Sequence, residues 1–209
     1  MSLEPENDYN IKTHTPQEWH DSDFHRKTRE QMERGEWPDA CTRCEQMEKQ
    51  GLTSQRLKLK AYGPGLSHLD LRLGNSCNLK CISCWHMSSS SIAEEAIAMQ
   101  KAGITPLHGI LDVHNFNWSS PETFDKLLEL PIQEVYFTGG EPMMVKHLPA
   151  FLERLDPDTQ IRFNTNCTIW NPKLEKLLRK FRMVIMSLSL DATDRRIDYI
   201  RHGSKWKEI

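Results

Sequence analysis

Three cysteines, Cys77, Cys81 and Cys84, stand in the run GNSCNLKCISCWHM at the spacing CxxxCxxC. Thiolates are soft ligands. Three on one short loop can each take one iron of a [4Fe–4S] cube, leaving the fourth iron without a protein ligand. That open position suits a chelating amino and carboxylate group and electron transfer through the cluster. A structural zinc or closed cluster would usually have a fourth protein ligand. A second pair, Cys41 and Cys44 in WPDACTRCEQMEKQG, supplies only half of a metal site. Two readings stay open for it: a second metal site, holding an auxiliary iron–sulfur cluster or zinc, or two unligated thiols. Joined with Cys81 and Cys84 the pair would instead form a four-cysteine zinc site, which strands Cys77. That zinc-binding interaction module is the rival reading, with an electron-transfer iron–sulfur protein as a third. Cys167 has no spacing partner and reads as a small buried hydrophobe.

The elements that must position the cysteine loop follow from periodicity. His68 to Leu73 alternates strictly, with Leu69, Leu71 and Leu73 on one face and His68, Asp70 and Arg72 on the other, as in a strand with one polar face. Ser91-Ile92-Ala93-Glu94 has the form of a capping box and predicts a helix to about Lys101, ended by Gly103. Ser120-Pro121 opens a second helix to about Leu130, and Asn171-Pro172 caps another carrying Leu174, Leu177, Leu178 and Phe181. Strand two is Glu134 to Thr138, ending at Gly139-Gly140-Glu141-Pro142; His147 to Leu155 is helical, and strand three is Gln160 to Asn164. Strand four, Met183 to Leu190, alternates apolar residues against Ser187, Ser189 and Asp191, so its polar residues gather toward its C-terminal end. From Asp194 one more helix begins. Alternating strands and helices imply a parallel sheet, and a β/α barrel places its chemistry at the C-terminal strand ends. The fold class is therefore α/β, a partial barrel preceded by a small, mostly helical N-terminal element. Gly63-Pro64-Gly65 punctuates the chain between an N-terminal element over 1–62 and a core over 63–209.

Composition narrows the partners. With 27 Lys plus Arg against 29 Asp plus Glu, no global field recruits nucleic acid or an anionic membrane. The polar start MSLEPENDYN has no apolar core of a signal peptide, and no run approaches bilayer length. The expectation is a cytoplasmic protein in a reducing compartment, where clustered cysteines bind metal rather than form disulfides.

Two motifs in register carry a family resemblance. Cys77-Asn78-Leu79-Lys80-Cys81, just after the first strand, resembles the CNLxC opening of the radical SAM superfamily, and Gly139-Gly140-Glu141-Pro142, just after the second, resembles its GGEP motif. Phe163-Asn164-Thr165-Asn166 is similar to the family's third-strand end, and Ser187-Leu188-Ser189-Leu190-Asp191 to its fourth-strand segment. The resemblance implies an enzyme in which Cys77, Cys81 and Cys84 hold a [4Fe–4S] cluster and S-adenosylmethionine fills its open iron. Gly139, Gly140, Glu141 and Pro142 would form the edge that binds the amino group, and Thr165 and Ser189 would contact the nucleoside. A reducing electron donor would start cleavage to a 5′-deoxyadenosyl radical that abstracts hydrogen from substrate. Tyr199 to Ser204 resembles the Arg-Gly-rich stretch of the branch with SPASM or twitch extensions, which implies a peptide substrate first and a small molecule second. The family usually has a bulky residue before the third cysteine, where this chain has Ser83, and Trp85 replaces it only if the loop turns differently. The family barrel has six βα units, of which about four are present. This implies a C-terminally truncated chain, with strand four an unfinished edge and further ligands for Cys41 and Cys44 in the missing part.

Other residues have plainer readings. His86 packs in its loop; His14, His20, His25, His108 and His114 lack metal-ligand spacing; and the serine run Ser88 to Ser91 caps a helix. Met143, Met144, Met183 and Met186 are packing residues, and Trp19 and Trp37 anchor a solvated helical face.

Overall fold

Four short helices carry the N-terminal stretch, and caps rather than apolar faces define them. In the computed structural model, which describes residues 9–63, 65–105 and 118–209, they are α1 (Pro16–His20), α2 (Asp23–Glu33), α3 (Thr42–Lys49) and α4 (Gln55–Leu59). Thr15 closes a reciprocal capping box with Glu18, Ser22 caps α2 and Ser54 caps α4, satisfying amides that the first turn leaves without partners. None of the four helices has a buried residue. Polar clips hold the segment instead: Glu48 accepts from Ser54 and Arg56, and the Arg56 guanidinium lies 4.6 Å from the centre of the Trp37 ring. Trp19 packs edge-on against His25, 3.9 Å between centroids, so both tryptophans are anchored.

The described chain divides into two compact units, one of residues up to His68 with Glu122–Gln133, the other of Leu69–Pro121 with Glu134–Ile209. Within the first, Lys126 donates to the carbonyls of Ile11, Lys12 and His14 at 2.9–3.1 Å. Pro64, His108 and His114 lie outside the described residues.

From His68 onward the elements are β1 (His68–Arg72), β2 (Lys80–Cys81), α5 (Ser90–Lys101), α6 (Pro121–Leu128), β3 (Glu134–Thr138), α7 (Leu148–Arg154), β4 (Gln160–Thr165), α8 (Pro172–Leu178), β5 (Val184–Leu188), α9 (Arg195–Ile200) and β6 (Arg201–His202). α6 continues into the first unit, and β1 begins there. The main sheet has the order β1-β3-β4-β5, with β3, β4 and β5 parallel in sequential register, Phe137 beside Phe163 and Phe163 beside Met186. Helices α7 and α8 make the crossovers, as parallel neighbours require. This is the α/β fold of a partial barrel.

Alternation sorts each strand into two faces. Leu69, Leu71, Val135, Phe137, Ile161 and Phe163 are buried, and Leu148, Phe151, Leu152, Leu174 and Leu178 of the crossover helices are buried with them. Phe151 meets Phe137 edge to face at 6.1 Å. Each such side chain contributes roughly 1.5–3 kcal/mol by leaving water. The opposite face is polar: Thr138 donates to Asp70 at 3.0 Å, Gln160 to Glu134 at 2.7 Å, and Arg162 lies over the Tyr136 ring. β5 closes one edge of the described sheet with both faces open; Met186 and Leu188 are exposed, as is Met183 before it, so these two methionines are not core packing residues.

Local differences from the sequence reading have physical causes. The cap of α5 is Ser89, which accepts from Ile92 N, and not Ser91, because Ser91 donates to the Cys77 carbonyl instead. β2 and β6, two residues each, form an antiparallel ribbon pairing Cys81 with Arg201 and Lys80 with His202. Two residues carry no period, so nothing in the pattern announced either strand.

Candidate functional site

The C-terminal ends of the parallel strands, with the cysteine loop above them, enclose a cavity of ≈ 230 Å³. Thr138, Gly139, Gly140 and Glu141 line it from the end of β3, Asn164, Thr165 and Asn166 from β4, and Ser189 from beyond β5. Cys77, Cys81 and Cys84 line the same cavity. Leu79, Ser83 and Ser88 complete the loop side, and Arg201 enters from β6.

The two glycines answer first to their own chain. Gly140 N donates to Gly74 O at 3.0 Å and Glu141 N to Ser76 O at 2.7 Å, so the segment leaving β1 lies directly on the segment leaving β3. A Cβ on Gly140 would stand 2.2 Å from Ser76 O, and one on Gly139 would stand 2.7 Å from Gly74 O. Gly139 also holds φ +106, which a side chain rarely adopts. Glycine here seats the start of the cysteine loop on the strand end.

Glu141 ties the end of β3 to the end of β4. Its carboxylate, 1% exposed, accepts from Met143 N at 3.1 Å, from the Thr165 hydroxyl at 3.0 Å and from Asn166 N at 2.7 Å. Burial pushes its pKa up while these three donors pull it down, and burial prevails. The Thr165 hydroxyl is thus committed to Glu141, and it also accepts from Cys167 N at 3.2 Å.

The cysteine loop is tied down on every side. Ser90 donates to Cys77 O at 3.1 Å and accepts from Cys77 N at 3.2 Å, Ser91 donates to Cys77 O at 2.8 Å, and Ser89 donates to Leu79 O at 2.6 Å. The serine run is therefore a loop clamp as well as a cap. Asn166 donates to Asn78 Oδ1 at 3.0 Å and reaches Cys77 Sγ at 3.8 Å; Asn78 in turn donates to Thr168 at 2.9 Å. Asn75 holds the far side of the loop by donating to His86 O at 3.2 Å, and His86 is buried. Burial raises the pKa values of Cys77 and Cys81; at Cys81 the neighbouring Arg201 charge pulls the other way.

Other residues fall elsewhere. Pro142 is buried and lines the apolar side with Phe137 and Leu152. Met143 is buried and Met144 exposed. Ser83 lines the cavity, whereas exposed Trp85 is outside its lining and donates to Ser88 at 3.1 Å, so the tryptophan does not take the place of the bulky residue. Cys167 is half-buried at φ +63, a conformation costly for a non-glycine residue, so it is not a core hydrophobe. Cys41 and Cys44 belong to the other unit, where burial raises the pKa of the Cys41 thiol. The sequence reading passed over Thr138, Asn164, Asn166 and Arg201 as cavity residues. The signal for Asn166 was its place one step past a strand end, in line with Gly139 and Ser189.

The donor set fits an iron–sulfur cluster. Its free donors are three soft thiols, and the one carboxylate in the lining is already engaged by three hydrogen-bond donors. Among the described residues no three His, Cys, Asp or Glu side chains are drawn together as a single metal ion requires. Cys77, Cys81 and Cys84 share the lining of one cavity.

The chain is similar to known proteins over most of its core. The profile of the radical SAM superfamily matches residues 71–209. A probable GTP 3′,8-cyclase of Methanocella arvoryzae is 29% identical over 141 residues, 66% of this chain and 38% of the relative; that of Archaeoglobus fulgidus is 26% identical over 133 residues, 64% and 38%. The chain thus spans less than half the length of these curated relatives. Among solved structures, Streptococcus suis SuiB bound to S-adenosylmethionine (TM-score 0.41, 19% identity) and bound to precursor peptide SuiA (TM-score 0.41, 17% identity) are each similar over 72% of this chain and 30% of theirs. A superfamily implies its cofactors, here a [4Fe–4S] cluster and S-adenosylmethionine. With the profile match running from within β1 to the last residue, the chain belongs to the radical SAM superfamily.

Proposed function

We propose that residues 63–209 act as the cofactor-binding core of a radical SAM enzyme, with Cys77, Cys81 and Cys84 as the cluster ligands. The observation that carries this reading is the opening of all three thiols and the Gly139–Glu141 edge onto one cavity. When bound, the cluster and S-adenosylmethionine supply one-electron reductive cleavage of the sulfonium to methionine and a 5′-deoxyadenosyl radical, which takes hydrogen from substrate. The chain's own residues bind and orient. Gly139, Gly140 and Glu141, with Pro142 buried behind them, present the edge for the amino group, and Glu141 fixes that edge to the end of β4. Thr165 and Ser189 hold the nucleoside side of the cavity, where the hydrogen bond from Ser189 N to Thr165 O at 2.9 Å keeps the two strand ends in step.

The resemblance of Tyr199 to Ser204 to the SPASM/twitch branch makes a peptide the first substrate to test, and a small molecule, as the names of the cyclase relatives suggest, the second. Cys41 and Cys44, in the N-terminal element 1–62, are assigned to an auxiliary iron–sulfur cluster or zinc. The electron comes from an external low-potential reductant in a cytoplasmic setting. Anaerobic reconstitution tests the core assignment: about 4 iron and 4 sulfide per chain are expected at this site, lost on Cys77→Ala, with an electron paramagnetic resonance signal altered by S-adenosylmethionine. Stoichiometric zinc indifferent to that substitution overturns it in favour of the zinc module; a cluster spectrum blind to S-adenosylmethionine favours an electron-transfer protein.

A further inference from the structure

Among the described residues that line the cavity Arg201 is the one cation, and it comes from the opposite end of the core sequence. Its backbone pairs with Cys81 across the β2–β6 ribbon, and the next bond, Ile82 N to Ile200 O at 2.9 Å, fixes the ribbon's register. The side chain is 14% exposed. Its Nε lies 2.8 Å from Asp191 Oδ2, an ion pair whose N–H is not aligned for a hydrogen bond, and a terminal nitrogen donates to Cys81 Sγ at 3.9 Å. Cys77 receives a comparable amide donor, Asn166, at 3.8 Å, but a neutral one. The three thiols thus differ: one faces a charge, one a dipole, and Cys84 Sγ lies 3.7 Å from the Trp85 carbonyl.

Donors and positive charge at a cluster sulfur stabilise the reduced state, which carries one more electron, and so raise the potential. We infer that Arg201 is a positioning residue that, held by Asp191, donates to the Cys81 sulfur and raises the reduction potential of the bound cluster. This rests on the assignment of Cys81 as a cluster ligand. It assigns to Arg201 no contact with substrate. The guanidinium is suited to the task because it stays charged at every working pH, pairing by charge with Asp191 while a terminal N–H reaches the sulfur.

The test is the midpoint potential of the anaerobically reconstituted full chain, without S-adenosylmethionine, by dithionite titration read from the electron paramagnetic resonance of the reduced cluster. Arg201→Gln is expected to lower the reduced-to-oxidised ratio at fixed potential about tenfold, equivalent to about 59 mV for a one-electron couple. Arg201→Lys, which keeps the charge, recovers part of that shift. Asp191→Asn, which leaves Arg201 less neutralised, moves the midpoint the other way. Since a midpoint does not depend on the amount of cluster, it is read on the loaded fraction even where a variant loads poorly. Wild-type protein that loads a reducible cluster while Arg201→Gln and Asp191→Asn leave its midpoint unchanged overturns this inference alone; wild-type protein that loads no cluster overturns the ligand assignment beneath it. Weaker S-adenosylmethionine binding by Arg201→Gln at an unchanged midpoint also overturns the inference, making Arg201 a cofactor contact.

Discussion

Gly140 has no room for a methyl group, and the obstruction is backbone on all three counts: Ser76 O at 2.2 Å, Asn75 C and Ser76 C at 2.8 Å. A Gly140→Ala chain must therefore shift the segment entering the cysteine loop. Overpacking of this kind costs about 1–3 kcal/mol, and we expect both a lower unfolding midpoint and reconstituted iron well below wild type, measured together on one preparation. Gly103 is the contrast, with open space around its missing Cβ and only its φ of +75 against substitution. At this scale the sequence shows chemistry more readily than mechanics. The spacing of Cys77, Cys81 and Cys84 and the GGEP run were legible because the members of each motif are neighbours in sequence. That the glycines seat their own loop was not, because the atoms they make way for belong to residues 74–76. Asn166 and Arg201 were hidden for the same reason, with partners at separations of 88 and 120 residues.

Among elements, legibility follows length and the presence of a cap. Strand β3 matches its sequence reading from Glu134 to Thr138, and α8 starts where Asn171 and Pro172 place it, Asn171 accepting from Lys173 N and Leu174 N. The cap of α5 slipped by two residues because four consecutive serines offer four candidates, and tertiary bonds to Cys77 decide among them. β5 shows what periodicity does not tell: its alternation is regular, yet Val184 to Leu188 is half-buried to exposed, since burial depends on what covers a face. Leu188, 57% exposed on this edge strand, tests the point. Leu188→Lys should change the unfolding free energy by no more than about 0.5 kcal/mol while reducing concentration-dependent association, because charge on an edge strand opposes strand pairing. Denaturant melts and light scattering on the same chain read the two effects separately.

Over the whole chain, the near balance of charge gives no electrostatic address, and among the described residues no helix is long and apolar enough to cross a membrane. The family was legible at this scale through the order of its motifs. Residues 122–133 group with the N-terminal residues, which a composition shift does not reveal. The Cys41 and Cys44 pair lies in that first unit, and its independence is testable: Cys41→Ser with Cys44→Ser should leave about 4 iron per chain at the core site and its response to S-adenosylmethionine intact, by iron assay and paramagnetic resonance. A loss of the core signal would tie the pair to the cluster loop.

The β2–β6 ribbon also dictates an order of events during synthesis. A nascent chain released from the ribosome only as far as Leu190 already displays Cys77, Cys81 and Cys84, yet Ile200 and Arg201, which hold Ile82 and Cys81 in place, have still to emerge. At roughly 5–20 residues per second that interval is short, but throughout it Cys81 and Ile82 lack their ribbon partners while the clamps from Asn75, Ser89–Ser91 and Asn166 are already available. On the proposed assignment of the three cysteines, iron delivered then meets a loop still missing β6, and iron delivered later meets a finished cavity.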